Sequence, residues 1–323
     1  MVEHVTFNHG VAGPIPARPT IFSVASQMTR VLNFGSINID HVYKVEHFVA
    51  PGETLACGAY QRFAGGKGLN QSIALAHAGA AVFHAGKIGR EDGWLKDLLG
   101  EHRVDTRYVE AVEGPSGHAV IQVNPAGENA IVIVGGANRR IAAADVDLIL
   151  AEFGPEDFLL VQNEIAQVPE IIRLAKARGL TVAFNPSPLD AAVAGYPLDR
   201  VDLLMVNEVE AHALTGASEP EAVGAALGRR FPGMTVVLTL GARGAFHIRE
   251  GAIKHCPAMR VRAVDTTAAG DTFAGFYLAE FIRSGDPVAA LELACRAAGV
   301  CVTRPGAAES IPWRNDPLMA NVA

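Results

Sequence analysis

Between Phe158 and Thr239 the chain repeats one pattern four times: FLLV at 158–161, TVAF at 181–184, LLMV at 203–206 and VVLT at 236–239. Each run is short and apolar, the composition of a strand buried on both faces. Helix-like segments at Val168–Arg178, Glu208–Leu214 and Glu219–Arg230 lie between them. Strand–helix–strand alternation returns the chain to the same end of the sheet each time, which makes neighbouring strands parallel. The expected fold class is therefore α/β, a doubly wound, mostly parallel central sheet with helices on both faces.

The flanking sequence extends this frame. Upstream, Val31–Gly35 reads as a buried strand that ends in a polar loop, Ser36-Ile37-Asn38-Ile39-Asp40, and Val82–Ala85 as a second strand. Gly68–Ala80 and Asp92–Glu101 have helical period. Downstream, Ala245–Arg249 and Ala252–His255 form a hairpin, followed by two apolar helices, Ala269–Ser284 and Pro287–Thr303. Strand-like pieces at Val42–Phe63 and Tyr108–Val134 are broken by Pro51-Gly52, Gly58 and the hairpin signal Asn124-Pro125-Ala126-Gly127. They are expected to pair into a small β-sheet lid, built from about 41–64 and 107–135, over the crevice at the strands' carboxyl ends. Residues 1–30 carry Pro14, Pro16 and Pro19 without clear periodicity and are expected to be a flexible extension of a single domain, 31–323.

Composition narrows the function classes. Half of the 323 residues are apolar and 19% are charged, enough for a substantial core. A net charge of −7 with no basic stripe argues against a nucleic-acid partner. No apolar run has membrane-spanning length, and Ile21–Ala25 is too short for a secretory leader. Cys57, Cys256, Cys295 and Cys301 show neither CxxC spacing nor a His cluster, which suits a reducing cytoplasm.

The chemistry-bearing residues cluster after strands. Val264-Asp265-Thr266-Thr267-Ala268-Ala269-Gly270-Asp271-Thr272-Phe273 is a turn that feeds a helix N-terminus. Unpaired N–H groups and the positive dipole end there suit a phosphate. Asp271 is either a cap for that helix or a base beside the phosphate. Phe63-Ala64-Gly65-Gly66-Lys67-Gly68-Leu69-Asn70-Gln71 is a second glycine-rich turn into a helix, matching neither GxxxxGK[ST] nor GxGxxG; it is either a ligand loop or a tight turn. Asn38 and Asp40 suit adjacent sugar hydroxyls or an Asx-turn. Glu164 follows 158–161, and Asn207-Glu208-Val209-Glu210 follows 203–206, where the Asn207/Glu210 pair suits Mg²⁺-bound water or a helix cap. Thr239-Leu240-Gly241-Ala242-Arg243-Gly244 suits a nucleotide phosphate.

Together these motifs resemble the ribokinase-like (pfkB) family of carbohydrate kinases over about Val31 to Arg314. Gly65-Gly66-Lys67-Gly68-x-Asn70 and Asp265-Thr266-x-Ala268-Ala269-Gly270-Asp271-Thr272-Phe273 match its two signatures. Gly35-Ser36-Ile37-Asn38-x-Asp40-His41, Pro51-Gly52-Glu53-Thr54 and Ser310-x-Pro312-Trp313-Arg314 point the same way. The resemblance implies ATP-dependent phosphorylation of a sugar, ribose first, with a related sugar or nucleoside as the alternative acceptor; a non-catalytic sugar-binding regulator on the same fold is the remaining alternative. Asp271 would be the catalytic base, and the N–H groups of Ala268, Ala269 and Gly270 an anion hole. Asn38, Asp40, Gly65, Gly66, Lys67, Asn70 and Glu164 would bind the sugar. Asn207, Thr239, Gly241, Arg243, Gly244, Gly270 and Cys295 would bind the nucleotide, and Asn207 with Glu210 would govern Mg²⁺ through water. Potassium would lie beside Asp265, Thr267, Cys301, Arg304, Gly306 and Ser310. Apart from the resemblance, a homodimer through the lid is expected, because a lid made of an open sheet has exposed edges that pairing two lids would cover. Leu69, His118, Gln122, Asn163 and Cys295 depart from the family pattern, and His118, Asn163 and Leu69 are expected near the sugar.

Overall fold

The computed structural model describes residues 29–320. The expected extension lies outside them except for its last two residues, and Arg30 already opens the first strand. In chain order the strands are Arg30–Phe34 (β1), Asn38–Lys44 (β2), Ala59–Gly65 (β3), Ala81–Gly89 (β4), Asp105–Val112 (β5), Gly117–Val123 (β6), Asn129–Val134 (β7), Phe158–Gln162 (β8), Thr181–Asn185 (β9), Leu203–Asn207 (β10), Thr235–Thr239 (β11), Ala245–Arg249 (β12) and Ala252–Cys256 (β13). The α-helices are Lys67–His77 (α1), Trp94–Glu101 (α2), Ala143–Leu150 (α3), Val168–Ala177 (α4), Glu208–Thr215 (α5), Pro220–Arg230 (α6), Ala269–Ser284 (α7), Pro287–Cys301 (α8) and Pro317–Ala320 (α9).

Among the described residues a nine-stranded sheet runs in the order β13-β12-β11-β10-β9-β8-β1-β4-β5. From β11 to β5 all pairings are parallel, and the β12/β13 hairpin adds antiparallel strands at one edge. Period-two alternation sorts the apolar side chains into two cores. Val31, Leu160, Ala183, Met205 and Val237 face one core, with residues of α1, α7 and α8. Leu32, Phe34, Leu159, Val161, Phe184, Val206 and Leu238 face the other, with α3, α4 and α6. The N-terminal end of the sheet is tied by Arg30, whose Nε and Nη2 donate to the two carboxylate oxygens of Asp157 at 2.9 and 2.6 Å.

The chain leaves β1 for β4 and β5 on one side and occupies β8 to β11 on the other. The order therefore reverses between β1 and β8, the switch point where open α/β sheets leave a crevice. A separate four-stranded sheet, β3-β2-β6-β7, forms the lid. Two expectations need correction. Asp105–Val112 does not join the lid. It pairs parallel with β4 at the edge of the large sheet, because α2 supplies the crossover a parallel pair requires. Asn38 and Asp40 are not in a loop but in β2, where they pair with Gly65 and Phe63 on one side and Gly117 and Ala119 on the other.

Candidate active site

Two helix N-termini converge at the switch point. α1 starts where the chain has just left the lid, and Gly66, at φ 95°, makes that turn. Its first turn lies directly on the β1–β2 connection: Leu69 N donates to Ser36 O at 2.9 Å and Gly68 N to Ser36 Oγ at 3.2 Å. A Cβ at Gly68 would stand 2.3 Å from Ser36 N, so this approach requires glycine. The second helix, α7, is entered through Ala268, which adopts the left-handed conformation at φ 60°. α1 and α7 touch at Gly275, where a Cβ would lie 2.4 Å from Ala74 Cβ. That contact brings their positive ends to one point.

Asp271 stands in the first turn of α7 and is 9% exposed. Asn70 Nδ2 donates to its Oδ2 at 3.0 Å and Gln71 Nε2 to its Oδ1 at 2.9 Å, so both oxygens are held from α1. It does not cap α7, since that N-terminus has no side-chain cap bond. The adjacent N–H of Ala269 donates to Thr266 O at 3.3 Å, whereas those of Ala268 and Gly270 have no protein acceptor among the described residues. Lys67 lies nearby, and the Asp271 carboxylate holds its ammonium above its ordinary pKa against the effect of burial, with Glu164 and Glu210 adding to the rise.

Glu164, at the carboxyl end of β8, ties the loops together: its Oε2 accepts from Lys67 N at 3.0 Å and from Ser36 Oγ. Across from it, Asp40 projects from the lid. Burial first, then the Glu164 and Glu309 carboxylates, push the Asp40 carboxyl up to about 6. Gly65 exists in its space, since a Cβ there would meet Asp40 Oδ2 at 2.2 Å. Asn38 Oδ1 accepts from Asn138 Nδ2 at 2.7 Å, which leaves the Asn38 amide to donate toward a ligand.

From Lys67 and Asp271 a cleft runs past Asn185, Asn207, Glu210, Thr239, Thr266, Ala268 and Gly270. Asn207 and Glu210 form a capping box on α5: Asn207 Oδ1 accepts from Glu210 N at 2.9 Å and Glu210 Oε2 accepts from Asn207 N at 3.0 Å. The cap and the cleft position hold together, because Glu210 lines the cleft while it caps. The turn after β11 closes with Leu240 N donating to Gly244 O at 2.9 Å, and Gly241 starts its short 3₁₀ segment. Arg243 does not turn toward the cleft. It pairs with Glu208 at 3.1 Å and Glu219 at 3.5 Å on the surface. Cys295 is buried in α8, its Sγ 3.8 Å from Cys256 O.

Behind α7 the turns at 264–267 and 302–310 are stitched together. The Asp265 carboxylate accepts from Thr267 N at 2.9 Å, Thr267 Oγ1 at 2.6 Å and Gly306 N at 3.1 Å. Cys301 Sγ lies 3.1 Å from Ser310 Oγ and 3.7 Å from Thr267 O, while Arg304 is drawn away to Asp316 at 2.6 Å.

Several expectations near the sugar change. Asn163 is structural: its Nδ2 donates to Pro188 O at 2.8 Å and its Oδ1 accepts from Tyr196 Oη at 2.8 Å. Leu69 is core. His118, with Nδ1 at 3.1 Å from Ser116 O, sits edge-on to His41, one residue along β2 from Asp40 and so on the opposite lid face. Gln122 Oε1 accepts from Val49 N at 3.1 Å, a lid contact. Conversely, Ser36, Gln71, Asn138 and Asn185 belong to the site and were not singled out. One signal was available: Asn70-Gln71-Ser72 are three consecutive polar residues set against the apolar run Ile73–Ala76, and the structure buries all three.

A family model described as pfkB family carbohydrate kinase matches residues 28–314. The ribokinase of Haemophilus influenzae is 38% identical over 293 residues, covering 88% of this chain and 95% of that protein. The deoxyribokinase of Salmonella typhi is 32% identical over 288 residues, covering 86% of this chain and 94% of that protein. Among solved structures, that of Arabidopsis thaliana ribokinase complexed with ribose and ATP matches with a TM-score of 0.81 at 27% identity, over 92% of this chain and 100% of that one. The chain belongs to the pfkB family of carbohydrate kinases, phosphotransferases with an alcohol group as acceptor.

Proposed function

We propose that the protein is an ATP-dependent ribokinase that converts D-ribose to ribose 5-phosphate. The observation that carries this reading is Asp271, held at both oxygens by Asn70 and Gln71 beside the N–H groups of Ala268 and Gly270, which have no protein acceptor among the described residues. The 38% identity to a ribokinase over nearly the whole chain supports ribose as the acceptor.

In this reading Asp40 and the Asn38 amide hold the sugar hydroxyls under the lid, with Gly65, Gly66 and Glu164 shaping that side. Asp271 accepts the proton of the 5-hydroxyl as O5 attacks the γ-phosphorus. The new O5–P bond forms as the bond to the ADP oxygen breaks. Charge on the transferring group meets the N–H groups of Ala268 and Gly270 and the Lys67 ammonium. The lid excludes water, which would otherwise compete as acceptor. The nucleotide side comprises Asn207, Thr239, Gly241 and Gly244, with Cys295 beneath the base.

Bound Mg²⁺ supplies charge neutralisation for the phosphates. Glu210 fits an outer-sphere role, since its carboxylate lies in the cleft and retains oxygen lone pairs beyond the cap bond. K⁺, when bound, would supply positive charge to the site. The oxygens gathered at Asp265, Thr267 and Ser310 fit a hard cation, while Arg304 contributes no side chain there. The free thiols of Cys57, Cys256, Cys295 and Cys301 support a cytoplasmic setting.

The 32% identity to a deoxyribokinase supports one second reading, a 2-deoxy acceptor. An acceptor panel of ribose, deoxyribose, fructose, 2-keto-3-deoxygluconate and nucleosides, with ATP and Mg²⁺ in potassium or sodium buffer, tests both. Ribose is expected to give the highest kcat/KM, faster in potassium. A clear preference for another acceptor overturns the substrate, and equal rates in the two salts overturn the cation site.

A further inference from the structure

A chain of buried polar side chains runs beneath α1 and ends on Asp271. Asn33 and Gln162 are fully buried and Gln71 is 1% exposed. Such groups persist in a core only when hydrogen-bonded, and each bond here has a forced direction. His84 is fully buried, and burial lowers its pKa to about 4, so the ring is neutral and has one N–H. That N–H is on Nε2, because its partner at 3.2 Å is the carbonyl of Gly35. His84 Nδ1 must then accept from Ser72 Oγ at 2.8 Å, and Ser72 Oγ accepts from Asn33 Nδ2 at 2.8 Å. Asn33 Nδ2 also donates to the carbonyl of Gly68 at 2.8 Å, which fixes Asn33 Oδ1 as an acceptor.

Gln162 Nε2 donates to that oxygen at 3.0 Å and to Gln71 Oε1 at 2.7 Å. Turning the Gln162 amide over would set acceptor against acceptor at both contacts, so this orientation holds even though Gln162 Oε1 has no partner. From the other side, Asn185 Nδ2 donates to Met205 O at 2.9 Å, which presents Asn185 Oδ1 to Gln71 Nε2 at 3.2 Å. Backbone carbonyls therefore anchor the chain at both ends. The Gln71 amide cannot flip, and it offers Asp271 only an N–H.

We propose that Gln71 is a positioning residue for the catalytic base: the buried chain locks its amide so that its N–H holds the Asp271 carboxylate in one orientation before any substrate arrives. The proposal rests on Asp271 as the base. Gln71 does not itself line the cleft and, apart from Asp271, reaches it only through Asn185, so its effect falls on the chemical step rather than on ATP binding.

Wild type, Gln71→Met and Gln71→Glu test it, assayed on the acceptor the wild type uses best. Gln71→Met, similar in size, is expected to lower kcat about 10–100-fold with the KM for ATP within about two-fold. Gln71→Glu sets a second carboxylate against Asp271, so the acid limb of its kcat–pH profile should move up by about one unit or more. Lys67 and the Cys301 thiol, which face Asp271 from α1 and α8, are the same in all three proteins. Carbon-13 carboxyl labelling of aspartate, with the Asp271 signal identified by its loss in Asp271→Asn, reads the same shift without turnover. Wild-type profiles and an unmoved Asp271 titration in both variants overturn the proposal. So does a fall in kcat that is uniform with pH and accompanied only by a lower melting temperature. A shifted Asp271 titration in a protein that phosphorylates no sugar would retain the positioning role and reject the reaction.

Discussion

Asp40 needs its charge to accept sugar hydroxyls, and burial opposes that charge. With Glu164 and Glu309 adding repulsion, the carboxyl is raised from 3.8 to about 6. The ionised form dominates above that value, so sugar affinity is present at neutral pH and is lost as pH falls through it. The KM for sugar is expected to rise roughly ten-fold for each unit below about 6, measured from initial rates between pH 5 and 7.5; a flat KM over that range contradicts the role. At this scale the sequence was readable where a residue type alone implies chemistry: Lys67 and Asp271 line the cleft, and the Asp40 and Glu164 carboxylates lie close enough beside it to repel each other. Gln71 and Asn138 were not readable, because an amide's role depends on which partners orient it. Arg243 failed for the opposite reason, since local carboxylates on α5 and before α6 capture a side chain that spacing alone would aim at a phosphate.

At the scale of elements, α1 and α7 carry the site, and their separation is set by the contact of Gly275 with Ala74. Gly275→Val would insert two methyl groups and a Cβ where none fits. It should cost about 1–3 kcal/mol of stability and lower kcat by spreading Asn70 and Gln71 from Asp271. Urea melts paired with kcat check this, and unchanged stability and turnover together contradict it. The repeats between 158 and 239 were legible because buried parallel strands must be continuous apolar runs. β5 was misjudged because an edge strand is half-exposed and looks like the lid strands. The informative pattern was the strand–helix–strand order β4-α2-β5 rather than the composition of β5 itself.

At the scale of the whole molecule, the lid has two open edges among the described residues, and an apolar outer strand. Ile131 is 50%, Val132 65% and Ile133 60% exposed, and Tyr60 on β3 is 50% exposed. Covering both edges by a second lid would remove this apolar surface from water. Sedimentation of the wild type at micromolar concentration is expected to show a dimer, and Ile133→Glu a monomer; a monomeric wild type contradicts the assembly. The doubly wound plan was legible throughout, while the lid's composition was only partly so, because short exposed strands carry little periodic signal. Both layers serve one act, the transfer of a phosphoryl group to a hydroxyl beside Asp271. Rapid-quench measurement of phosphoryl transfer from ATP to ribose by wild type and Asp271→Asn tests that act most directly. The expected result is a loss of at least about 10²–10⁴-fold in the transfer rate with ATP affinity retained. Transfer by Asp271→Asn at a near-normal rate would contradict it.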